Sequence, residues 1–244
     1  MIKLIGALTM LIDHIGAILL PQIRILRIVG RVSMPFFAYC IARGFYYSEK
    51  KGTTSKYIKN MLIFSIISQI PFSFVPYIFG RGSFSFIDIN LNIGFTWLFS
   101  LLILKAVSYI KKPDPDDLYI KNKILAGLMI AAILLFSIFC KIKNDYGLYG
   151  ILFPLAFYYF MFKTDTPLFC FFSTIFLYII YALIYKMPVF KENVQIFSIF
   201  SVFLIMLVKP QDDLIKLPRR FFYVFYPLHL AILLFIAWWI YIKI

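Results

Sequence analysis

Asp13 and His14 lie side by side in the middle of Ile2–Leu20, an apolar stretch long enough to cross a bilayer. Ionisable side chains in hydrocarbon are expensive and mark sites where something is done, so this pair is the first place to look for chemistry. Arg31, Gln69 and His229 also fall inside apolar runs. An imidazole titrates near neutral pH and suits proton transfer; a carboxylate orients such a ring or holds a cation. A guanidinium binds anions or stabilises a developing oxyanion.

Helix geometry limits how these groups meet. Adjacent residues point about 100° apart, so Asp13 and His14 do not face one another. Asp13 shares its face with Gly6, Thr9, Gly16 and Ala17, a small-residue stripe suited to close helix packing; His14 shares its face with Met10, Leu11 and Ile18. Asp13 precedes Leu20 by seven residues and Arg31 follows Arg24 by seven, which at about 1.5 Å per residue sets both roughly 10 Å inside one membrane boundary. Gln69 reaches about the same level from a third span. These side chains are expected to share a layer, with Asp13 paired to Arg31. Two readings stand side by side: an ion pair that fixes the hairpin, and a site.

His229 sits in Tyr226-Pro227-Leu228-His229. Counted from Phe221 it lies about 12 Å from the membrane face, against about 20 Å for Asp13, so the groups line one transverse cavity with no evident contact. Ser68-Gln69-Ile70-Pro71 also couples a helix-interrupting proline to polar groups. Asn90, Asn92 and Thr96 open the fourth span, and Asp145-Tyr146-Gly147 opens the sixth, where Asn and Asp read first as helix caps. Two distant histidines and no clustered carboxylates offer no metal site, and no glycine-rich phosphate loop is present.

The elements that position these residues follow from composition. A chain of 244 residues that is 62% hydrophobic and 15% charged, with mean hydropathy +0.88, lies far from the balance of a soluble domain. Its apolar runs are continuous rather than alternating, which excludes a β-barrel and predicts an all-α polytopic integral membrane bundle. Nine transmembrane spans are expected, within a range of eight to ten: Ile2–Leu20, Ile25–Tyr46, Tyr57–Phe79, Ile89–Ile110, Lys123–Cys140, Tyr146–Phe162, Leu168–Lys186, Val194–Val208 and Phe221–Ile242. The sixth and eighth are short. No break is long enough for a second domain, so residues 1–244 read as one membrane domain. Ile2–Leu20 has too long an apolar region and too little basic head for a cleaved signal, and is expected to be retained.

The net charge of +14 comes from Lys and Arg sited mainly between apolar runs, so it reads as topology signal rather than nucleic-acid binding. Of the basic residues flanking the spans, 16 fall on one side and 8 on the other, which predicts a cytoplasmic N-terminus. Cys40, Cys140 and Cys170 lack CxxC spacing and read as small buried hydrophobes.

The segments Leu8-Thr9-Met10-Leu11-Ile12-Asp13-His14-Ile15-Gly16, Leu26-Arg27-Ile28-Val29-Gly30-Arg31 and Met34-Pro35-Phe36-Phe37-Ala38 together resemble the TraX family of pilin acetylation proteins. So do Tyr57, Ser68-Gln69-Ile70-Pro71, Asn92 with Phe95-Thr96, Asp145-Tyr146-Gly147 with Gly150, and Phe225-Tyr226-Pro227-Leu228-His229-Leu230. The likeness runs in order along nearly the whole chain. Where the family often carries a basic residue near the start of the third span, this chain has Asn60-Met61 beside Lys59.

The resemblance implies a multi-pass acetyltransferase of the bacterial cytoplasmic membrane. It would take acetyl-CoA as acyl donor and a peptide or glycan amine or hydroxyl as acceptor, with the lipid bilayer as its surroundings and no nucleic acid as partner. It implies Asp13, His14 and His229 as catalytic residues, and Arg27, Arg31, Gln69, Asn92, Asp145 and Tyr226 as binding residues. Either histidine would serve as general base, Arg31 would meet an oxyanion or a coenzyme phosphate, and transfer would be direct or through an acyl group on His14. The competing class is a transporter in which the same Asp, His and Arg relay protons or bind an anion. Against it, the chain shows neither repeated halves nor paired broken helices.

Overall fold

The computed structural model describes residues 2–78, 90–111, 117–139, 143–144, 146–184, 194–208, 218 and 220–242. The helices are α1 (Ile2–Ile18), α2 (Arg24–Gly30), α3 (Ser33–Lys50), α4 (Thr54–Ile78), α5 (Ile93–Ile110), α6 (Asp117–Phe139), α7 (Gly147–Phe157), α8 (Pro167–Ile184), α9 (Phe197–Val208) and α10 (Phe221–Ile242). A π-helical stretch, Tyr158–Lys163, continues α7, and a 3₁₀ turn, Val194–Ile196, leads into α9. Every expected span carries a helix. Among the described residues six helices are long and apolar enough to cross a membrane, while Gly147–Lys163 and Phe197–Leu207 are shorter apolar helices. The protein is a multi-pass helical membrane bundle.

Proline and glycine explain the break between α2 and α3, which share the second expected span. Pro35 has no N–H to give the carbonyl of Arg31, and its ring crowds that carbonyl, so a straight helix cannot run through. The chain instead turns at Arg31-Val32, where the Arg31 amide reaches Arg27 and Ile28 carbonyls at 3.2 Å. Ser33 Oγ donates to the Gly30 carbonyl at 2.7 Å, satisfying an acceptor the turn exposes.

Helix α3 lies at the centre, packed on α1, α7 and α9, and its Ala38, Ala42 and Phe45 are almost wholly buried. Helix α10 packs on α4 and α1, and α4 on α5. Around this core α6 and α8 turn Leu125, Leu128, Leu135, Phe169, Phe172 and Phe176 outward, an apolar surface fit for lipid. Cys170 is buried as the sequence suggests, Cys40 is half-buried, and Cys140 lies outside the described residues.

The sequence offers no strand, yet a two-residue parallel bridge pairs Asn90 with Lys143 and Leu91 with Asn144. It ties the chain just before α5 to the chain just before α7. Asn92 then caps α5, its Oδ1 accepting from the Gly94 amide at 2.8 Å, as the cap reading expects. The bridge therefore fixes two helix starts beside one another.

Close approach of α1 and α2 depends on glycine. A Cβ on Gly30 would overlap the Asp13 side chain, and one on Gly16 would meet Leu26 Cβ at 2.6 Å. Gly30→Ala is expected to lose about 1–3 kcal/mol through overpacking, read as a lowered unfolding temperature in detergent. An unchanged transition would mean that the α1–α2 contact has slack the structure does not suggest.

Candidate functional site

Asp13 is the hub of the site. Its carboxylate is buried and accepts from Arg31 Nη2 through both oxygens, at 2.9 and 2.8 Å. Arg27 Nη1 donates to Asp13 Oδ2 at 2.8 Å and to the Asp13 backbone carbonyl at 3.1 Å. The expected Asp13–Arg31 pair is thus present, with Arg27, one helical turn earlier, as a second cation. Arg31 is buried, whereas the Arg27 side chain is 32% exposed, so Arg27 is the more open of the two cations.

Arg31 also reaches the far side of the bundle. Its Nη1 donates to the Tyr146 hydroxyl at 3.0 Å and to Gln195 Oε1 at 3.3 Å. Tyr146 stands at the start of α7 with φ of 63°, a left-handed conformation that costs a side-chain-bearing residue energy. That strain is held by the bridge on one side and the Arg31 bond on the other. One arginine thereby links α1, α7 and the turn before α9.

The two histidines are in contact, which corrects the depth expected from sequence. His14 Nδ1 lies 2.6 Å from His229 Nε2, and the rings stack with centres 4.9 Å apart. Counting from the first residue of α10 treats every helix as starting in one plane; α1 and α10 pack side by side with their starts offset, which brings the rings level. His229 Nδ1 meets the Phe225 carbonyl at 2.7 Å, and a carbonyl only accepts, so that nitrogen carries the proton. With both rings neutral, His229 Nε2 is then the acceptor and His14 Nδ1 the donor. His14 Nε2 is left with a free lone pair.

His14, not His229, lines the cavity at this site. This space of about 30 Å³, room for one or two waters, is walled by Met10, Asp13, His14, Ser33, Met34, Phe37, Ile93, Trp97, Tyr146 and Tyr226. Tyr226 is buried and meets His14 edge-on at 5.9 Å between ring centres, placing it with the other candidate residues.

Gln69 and Asn92 come together elsewhere. Asn92 Nδ2 and the Asn92 amide both donate to Gln69 Oε1, at 2.8 and 3.0 Å, and Asn92 Nδ2 also reaches the Ser65 carbonyl at 2.8 Å. Gln69 Nε2 donates to Ser73 Oγ and the Asn90 carbonyl. Gln69 does not share these bonds with Asp13 or Arg31, because α4 packs on α5 and α10. The pair anchors the start of α5, one residue before Ile93 enters the cavity wall. Asp145 lies outside the described residues.

Sequence reasoning passed over Tyr146, Gln195 and Trp97. Tyr146 sits within the Asp145-Tyr146-Gly147 element but reads there as part of a cap. Gln195 had a usable signal, an uncharged polar group at the head of an apolar run. Trp97 reads as one more aromatic in a chain with 29 Phe, 17 Tyr and 3 Trp, and nothing singles it out. Among the described residues no three His, Cys, Asp or Glu side chains gather as a metal would need.

Comparison with known proteins bears on the whole chain. A stretch of 70 residues is 36% identical to an uncharacterized protein of Rickettsia prowazekii, covering 29% of this chain and 25% of that protein, so the chain spans a quarter of that relative's length. Over 258 aligned positions it is 26% identical to a probable fimbrial assembly protein FimC, serogroup H1, of Dichelobacter nodosus, covering 95% of this chain and 92% of the relative. No solved structure matches. The family model described as TraX protein matches residues 1–237, which takes in Asp13, His14, Arg31, Tyr146 and His229 alike: the chain belongs to the TraX family.

Proposed function

We propose that this protein is an integral membrane acetyltransferase that moves an acetyl group from acetyl-CoA to an amine or hydroxyl of a peptide or glycan acceptor. Membership of the TraX family and the fimbrial assembly relative support the reading, and make a pilus-subunit peptide the first acceptor to try. The observation that carries it is His14: its ring lines a half-open cavity, its Nδ1 is held by His229, and its Nε2 lone pair is free to take a proton. In this mechanism the acceptor attacks the thioester carbonyl while His14 removes its proton, and the coenzyme thiolate takes that proton back as it leaves. His229 positions His14 and fixes its tautomer. Asp13 and Arg31 hold α1, α2 and α7 in the arrangement that shapes the cavity. Direct transfer needs nothing further from the protein, and an acyl group carried on His14 Nε2 is the other route.

The proposed setting is the bacterial cytoplasmic membrane with the N-terminus in the cytoplasm, following the basic-residue asymmetry. Coenzyme A, an anion, is then expected to dock at the basic cytoplasmic ends, at Arg43–Lys59 and at residues 209–220. Neutralising these residues one at a time should raise the acetyl-CoA dissociation constant at one or two positions; no change at any would put the nucleotide elsewhere. The activity itself is tested by incubating purified protein in lipid nanodiscs with acetyl-CoA and either a pilin-derived peptide with a free amine or an oligosaccharide, then reading acetylation by mass spectrometry. Acetyl-CoA that is neither bound nor consumed with any acceptor would sink the reading.

A further inference from the structure

We propose that Trp97 is a catalytic hydrogen-bond donor, its indole N–H receiving the acyl oxygen of the thioester; this rests on the acetyltransferase reading above. Trp97 is 5% exposed, and its Nε1 has no acceptor among the described residues. A buried indole N–H ordinarily has a partner, and leaving one unpaired costs about 1–3 kcal/mol. Trp97 lines the same cavity as His14, so the acceptor it is built for is one that enters that space.

Other donors in and just behind the wall already serve the fold. Arg31 gives its Nη2 to both Asp13 oxygens and its Nη1 to Tyr146 and Gln195. Ser33 Oγ donates its proton to the Gly30 carbonyl. These donors are committed to the fold. Trp97 is also rigidly placed: it stands in the second turn of α5, whose start is clamped by Asn92 and Gln69, and its ring packs on Phe37 at 5.7 Å. Among the described residues Trp97 Nε1 is thus a buried N–H of this wall left without an acceptor, and it shares the cavity with His14 Nε2. A reacting thioester needs that pair.

The acceptor's nitrogen or oxygen lone pair forms a bond to the acyl carbon, and the carbonyl π pair moves to oxygen, where Trp97 N–H stabilises the charge. His14 Nε2 takes the proton released by the attacking atom. The carbonyl then re-forms, the carbon–sulfur bond breaks, and the thiolate accepts the proton from His14.

Trp97→Phe keeps the ring and deletes the donor. It is expected to lower kcat about 10²–10³-fold, the usual cost of one oxyanion donor, with KM for acetyl-CoA and the unfolding temperature little changed. A second readout does not depend on turnover: the indole ¹⁵N–¹H resonance of Trp97, assigned by its loss in Trp97→Phe. Adding the ketone analogue of acetyl-CoA, with methylene in place of sulfur, should move it downfield. Trp238 and Trp239, exposed on α10, provide resonances that should stay put. Wild-type transfer that survives unchanged in Trp97→Phe, or a bound analogue that leaves the resonance in place, would overturn the assignment and leave the acetyltransferase reading standing. A wild-type protein that neither transfers acetyl nor binds the analogue would overturn both.

Discussion

His14→Ala abolishes acetyl transfer in a protein that still folds and inserts: the expected loss is about 10²–10⁴-fold, the range for removal of a general base. His14 is half-buried, so truncating it should cost little stability, and loss of activity in a protein of normal unfolding temperature would report chemistry. His229→Ala should cost less, because His229 stands behind His14 and does not line the cavity. It removes the acceptor for His14 Nδ1–H and lets the ring take the wrong tautomer or turn away. His229→Gln separates that role from general damage. Its amide oxygen can accept from His14 Nδ1, so partial recovery over His229→Ala is the signature of a positioning residue. The reverse ranking, with His14→Ala active and His229→Ala and His229→Gln both dead, would move the base to His229 and require the site to be rebuilt around α10.

How far the site could be read from sequence depended on whether local geometry or tertiary offset decided the point. Equal depth of Asp13 and Arg31 follows from a short connection between two adjacent helices, so the pairing could be counted residue by residue. The stripe of Gly6 and Gly16 beside Asp13 likewise announced close packing, and Gly16 meets Leu26 and Arg27 as that predicts. His229 sits more than two hundred residues from His14, and its level depends on how α10 is offset against α1, which no local count contains. The same holds for Gln69, whose contact with Asn92 depends on how α4 packs on α5. The two-residue bridge before α5 and α7 is too short to leave a periodic signal, and through it Tyr146 acquires a left-handed backbone that Asp145-Tyr146-Gly147 does not by itself demand. The helix segments were legible because lipid forces long apolar runs. The break at Arg31-Val32 was written in Pro35.

Arg31→Lys is expected to abolish transfer while leaving most of the fold, whereas Asp13→Asn should damage both. The Asp13 carboxylate is shared by the Arg27 and Arg31 guanidiniums. Losing its charge withdraws the carboxylate that both cations share in a poorly hydrated interior, a loss of about 3–5 kcal/mol by analogy with broken buried pairs. Arg31→Lys keeps the positive charge and the attraction to Asp13, so the unfolding temperature should fall only modestly. An ammonium on a flexible stem lacks the planar fork that serves Asp13, Tyr146 and Gln195 from one group. Without the Arg31 bond, Tyr146 loses one of the contacts that hold its left-handed backbone, and the cavity wall it forms is expected to shift. Arg27→Lys is the matched control: Arg27 is a third exposed and pairs with the same Asp13 carboxylate, so activity should survive within about tenfold. Thermal unfolding and single-turnover transfer, measured on the three variants together, separate the two roles. Normal transfer by Arg31→Lys would show that Arg31 is a countercharge for Asp13 and that its reach to Tyr146 and Gln195 does nothing for catalysis.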